Sequence, residues 1–201
     1  MASRAAVGFR AHSGWAAAVA VAEVSGAPVV ITRRRIQMAD RGRAGPAQPY
    51  HAAVGLDLAD AERLVGDCAA HAGDLATTGL RAIIHDLRVL GHQVAGCGLL
   101  LASGRVLPGL ESILASHALI HTAEGELFRN ALRTASRECG LPLTAVKERE
   151  LFTLASADLR IPEKQIELRV AAMGKAIGPP WRQDEKFSAV AAWLALGSPK
   201  K

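Results

Sequence analysis

Two groups of side chains in this sequence are spaced for chemistry. His117, His121 and Glu124 fall at i, i+4 and i+7, so an unbroken helix would carry two imidazoles and a carboxylate on one face, a donor set that suits zinc or iron. No H-E-x-x-H signature accompanies them, and the simpler reading is a helix junction over 116–122, with the histidines packing there and Thr122 as an N-cap. Asp184 and Glu185 open an alanine-rich segment and, together with Glu124, are the candidate catalytic carboxylates of a metal-dependent hydrolase.

The second group is basic and aromatic: Arg10, His12, Ser13, Trp15, Arg33 and Arg35. The 201-residue chain has a formal net charge of +5, and all of that excess lies in residues 1–50, where seven arginines face two acids. Arginine's planar fork suits phosphates and carboxylates, so these residues are candidate ligands for an anion, against the plainer reading of a solvated basic face. His12 and Ser13 would work as base and nucleophile only if a third group oriented the imidazole, and no G-x-S-x-G elbow is present. Tryptophans Trp15 and Trp181 are candidate stacking surfaces for bases, although core packing is the commoner role. Tyr50 and His51 are weaker candidates of the same kind, and Lys147 and Arg149, just past the last strand, would lie near the carboxyl end of the sheet, where open α/β sheets bind ligands.

Several classes are excluded. There is no G-x-x-x-x-G-K-[ST] phosphate loop, and Gly96-Cys97-Gly98 lies inside an apolar run that opens no helix, so it is no dinucleotide fingerprint. Cys68, Cys97 and Cys139 are an odd, widely spaced set, which argues against a disulfide framework. No stretch approaches the roughly 18 uncharged apolar residues of a membrane span, and a cytoplasmic protein is expected.

The elements that must position these residues follow from periodicity. Ala5–Arg10 and Trp15–Val24 read as strands of a hairpin turning through Gly14, and Val29–Met38 as a third antiparallel strand with Arg33 and Arg35 on one face and Arg34 on the other. Residues 39–55, rich in glycine and proline, read as a loop. Asp57 is a plausible N-cap for a helix that Gly73 and Gly79 would break, followed by a buried strand over Val94–Ala102. Helices over 108–139, a short strand at Leu141–Val146, and helices at Glu148–Ala157, Pro162–Ile177 and Asp184–Leu196 complete a single domain over 1–197, with 198–201 as a disordered tail. Half of the residues are apolar but only 4% are aromatic, so the core must be built of small aliphatic side chains, alanine above all.

The order β-β-β-α-β-α-β-α resembles the ribonuclease H-like superfamily, and within it the Holliday-junction resolvases. That resemblance implies an α/β fold with a five-stranded mixed sheet, three antiparallel strands and then two parallel ones, flanked by helices. It also implies an acid at the end of the first strand shortly before a glycine, an acid on the fourth strand, and acids opening the last helix. Here Gly14 is present, but Arg10 or His12 stands where the first acid belongs, and Gly98–Gly104 holds no carboxylate. Only Asp184-Glu185 followed by an alanine-rich run matches. Two-metal phosphodiester hydrolysis needs several carboxylates around cations about 4 Å apart.

The expectation is therefore a non-catalytic ribonuclease H-like protein that holds a phosphate-bearing partner, nucleic acid before others, with no cofactor. Two alternatives stand beside it. One is a nuclease or hydrolase dependent on Mg, Mn or Zn, with a site rebuilt from the histidines and carboxylates. The other is a protein–protein interaction module, for example a homodimer.

Overall fold

The computed structural model describes residues 3–40, 42, 47–102, 104 and 106–197. The expected tail at 198–201 and the part of the glycine-proline loop that holds Arg41 and Arg43 lie outside the described residues.

Strands β1 (Ser3–His12), β2 (Trp15–Val24) and β3 (Ala27–Gln37) form an antiparallel meander, with Gly14 taking the positive φ that the first turn requires. Strands β4 (His92–Leu101) and β5 (Leu143–Lys147) run parallel to β1, giving the sheet order β3-β2-β1-β4-β5. This is the expected mixed sheet. Its connections are α1 (Pro49–Ala53), α2 (Leu58–Val89), α3 (Leu110–Leu114) and α4 (His117–Glu138). After β5 come a single 3-10 turn (Glu148–Glu150) and then α5 (Leu151–Leu159), α6 (Glu163–Ile177) and α7 (Gln183–Gly197).

Alternation along the strands sends side chains to two cores. Val7, Phe9, Ala18, Ala20, Cys97 and Leu99 pack with α2 and α4 on one face. Ala6, Val19, Val21 and Leu100 pack with α5, α6 and α7 on the other. The parity that puts Val7 and Phe9 on the α2/α4 face turns Arg10 and His12 toward α7.

Three readings of the sequence are corrected here. Gly73 and Gly79 do not break α2, which runs unbroken from the Asp57 cap to Val89, because one face of this long helix is buried against the sheet and α4. The loop after β3 contains the short helix α1, with Pro49 in its first turn. The junction placed over 116–122 falls instead at 115–116: α4 starts at His117 with Ser116 as its N-cap, and the Thr122 hydroxyl bonds the Ala118 carbonyl inside the helix.

Helix α7 lies almost against bare backbone. A Cβ added to Gly8 would fall on the Ser188 carbonyl, and one added to Gly98 on the Ala191 carbonyl. Glycine in β1 and β4, facing the small side chains of Ser188, Ala189, Ala191 and Ala192, lets the helix approach this closely. Its N-terminal residues are thereby brought over the end of β1.

Candidate functional site

The end of β1, the residue after β5 and the start of α7 converge on one cluster. Arg10 forks between two carboxylates, donating from Nε and Nη2 to Glu148 at 3.1 and 2.7 Å and from Nη1 to Asp184. The His12 ring donates from Nε2 to the same Asp184 oxygen at 3.0 Å. Burial alone would raise the Asp184 pKa, but the hydrogen bond from Arg10 and the neighbouring His12 outweigh it and hold the carboxyl below its ordinary range. Burial opposes the Arg10 charge, yet the two carboxylates outweigh it and raise its pKa.

The His12 ring stacks on Trp15 at 4.3 Å between centroids, and the Arg35 guanidinium lies 3.9 Å from the Trp15 ring centroid. Because β2 lies between β1 and β3, Trp15 sits between these two groups. The indole faces are thus already taken, and Arg35, which is exposed, forms the outer layer. Ser13 is exposed in the hairpin turn beside them.

The sheet splits the remaining candidates. Arg33 donates to the carbonyls of Gly178, Pro179 and Pro180, fastening β3 to the α6–α7 connection. Arg34 turns to the opposite face, as the alternation requires, and pairs with Asp86 of α2. Glu185 accepts from the Arg182 backbone N–H at 2.8 Å and so serves the start of α7. Trp181 donates its indole N–H to the Val170 carbonyl and packs on Gly174, a structural role on α6. Lys147 and Arg149 both pair with Glu150.

Glu124 lies on α4, across the sheet from α7, so it does not join Asp184 and Glu185 in one site. It is 1% exposed and accepts from the backbone N–H and the ring Nδ1 of His51, at 3.2 and 2.8 Å. His117 and His121 do share one face of α4, and the third member of their cluster is His51. Burial pushes the Cys97 thiol up to about 12, which makes it inert as a nucleophile at neutral pH.

Glu148 is the residue of the Arg10 cluster that the sequence reading passed over. The signal is present, since an acid directly after a strand sits where open α/β sheets place ligands, the same ground on which its neighbours Lys147 and Arg149 are candidates. With both carboxylates bonded to one guanidinium, this donor set does not suit a divalent cation, which needs those oxygens free.

Strand order, parallel and antiparallel pairing and the helix at the end of the chain together define the architecture, and comparison with solved structures decides it. Thermus thermophilus RuvC in complex with a Holliday junction substrate aligns with a TM-score of 0.55 and 10% identity, over 95% of this chain and 91% of the other. A second Thermus thermophilus RuvC structure aligns with a TM-score of 0.50 and 11% identity over the same shares. The chain has the ribonuclease H-like fold. No family model matches the sequence, and no curated protein does. At this identity the likeness is one of architecture, and the chemistry of this ribonuclease H-like chain rests on its own residues. Among the described residues no helix is long and apolar enough to cross a membrane.

Proposed function

We propose that this chain binds nucleic acid through the open end of its first three strands and does not hydrolyse it. One observation carries the reading: the Arg10 guanidinium lies between Glu148 and Asp184, where a nuclease of this fold would need carboxylate oxygens free for cations. The same arrangement revises which residues meet the ligand. Arg10 and Arg33 are committed to internal partners and serve as supports. His12, bonded to Asp184, and Trp15, covered on both faces, back the surface, and the exposed Ser13 and Arg35 remain to meet the ligand, with Arg35 offering both charge and a flat face to a phosphate or a base. A Holliday junction in the complex of a protein with this fold makes branched DNA one of the forms to test.

The test is a salt titration of binding to single-stranded, duplex and four-way-junction DNA, and to RNA. Affinity should fall steeply with salt, and Arg35→Ala should lower the slope by about one neutralised phosphate. No binding even at low ionic strength overturns the proposal. Cleavage in Mg²⁺ or Mn²⁺ that Asp184→Asn abolishes overturns its non-catalytic half.

A further inference from the structure

On the far side of the sheet from Arg10, three imidazoles meet. His51 comes from α1, and His117 and His121 from the first two turns of α4, where the Ser116 cap makes them successive residues of one face. Their centroids lie 4.4 to 5.4 Å apart, and one ligand atom from each lies within 4.8 Å of the others. His117 and His121 are exposed and their side chains form no hydrogen bond among the described residues, so each ring has a nitrogen lone pair to give.

The second observation is the acid behind them. Glu124 accepts from Nδ1 of His51, which fixes that ring's tautomer and leaves Nε2 as the free donor atom. A carboxylate held behind an imidazole in this way is how metal-binding histidines are commonly oriented. The other oxygen, Oε2, is buried with no partner, and a buried carboxylate left so poorly satisfied is costly unless a positive charge lies close by. A divalent cation on the three imidazoles would supply that charge.

We propose that His51, His117 and His121 bind one zinc-class divalent ion, with Glu124 as the positioning residue for His51. Three nitrogen ligands with two of them at the surface leave a fourth position for water or an added ligand, the open form of a zinc site. Tetrahedral coordination with Zn–N near 2.0–2.1 Å puts the nitrogens about 3.4 Å apart. The rings therefore close on the ion by side-chain torsion, which the two exposed histidines are free to make. Oxygen-preferring Mg²⁺ and Ca²⁺ are excluded by the donor set. The site is independent of the nucleic-acid reading, since it shares no residue with it.

The experiment titrates the untagged, metal-free full chain with Co²⁺, following visible absorption, and then displaces the Co²⁺ with Zn²⁺. One Co²⁺ per chain with tetrahedral bands, lost in His117→Ala/His121→Ala and kept in His85→Ala, is the expected result. Circular dichroism checks that the variants are folded, and both α4 positions are exposed. Glu124→Gln should weaken Zn²⁺ affinity about 10- to 100-fold while the bands persist. Absence of stoichiometric uptake, or uptake that survives loss of His117 and His121, overturns the site, and unchanged affinity in Glu124→Gln removes the positioning role.

Discussion

Arg10 holds two carboxylates at once, and each needs it. Replacing it by alanine removes the guanidinium that bridges Glu148 and Asp184 and leaves Asp184 with His12 alone. The expected loss is about 1 kcal/mol at neutral pH, because the group is partly open to solvent and screened. The pH dependence follows from Asp184. Its carboxyl in the folded state titrates below the ordinary value, so it contributes stability above that value and loses the contribution as pH falls through the depressed one. The gap in thermal midpoint between the wild type and Arg10→Ala should therefore be widest above about pH 5 and narrow as Asp184 is protonated. A gap that stays constant down to acid pH would show that Arg10 acts through packing and not through these charges. Melting curves across the acid range make the check.

Helix α7 sets the site because glycine lets it settle on β1 and β4. Gly8→Ala or Gly98→Ala would force the helix away from the sheet, and a cost at the upper end of the roughly 1–3 kcal/mol typical of overpacking is expected. The same displacement should separate Asp184 from Arg10, so chemical denaturation and the acid titration should change together. At the start of α2, on the other face of the sheet, the Asp57 side chain accepts from the Asp60 backbone N–H at 2.8 Å, and Asp57→Ala should cost about 1 kcal/mol in a denaturant melt. Most elements were legible in the sequence, because the two-residue alternation of β1–β3 and the Asp57 cap are local signals. The continuity of α2 was not, since Gly73 and Gly79 weaken a helix only in isolation and burial of one long face overrides them. The site was legible in halves. Arg10, His12 and Asp184 could each be picked out by type, but that Arg10 answers Asp184 depends on a contact spanning most of the chain. That His51 joins His117 and His121 is not legible in the sequence, because no spacing rule links α1 to α4.

The molecule keeps its two candidate functions on opposite faces of one sheet, so variants that abolish metal uptake at His117 and His121 should leave the salt dependence of DNA binding unchanged. Coupling between the two assays would mean that the faces communicate through the core or share a ligand. The run Arg33-Arg34-Arg35 has a consequence of a different kind. It lies on β3, an outer strand of the sheet, whose unpaired N–H and C=O groups form a template on which another chain could add a strand. Arg33 ties this strand to the α6–α7 connection, and the exposed charge of Arg35, which no carboxylate pairs among the described residues, opposes a second copy laid alongside. Part of the basic excess of the N-terminal quarter would on this ground also oppose self-association. Neutralising the triplet should give a chain that folds but aggregates on concentration, visible as rising light scattering in a sample whose circular dichroism is unchanged.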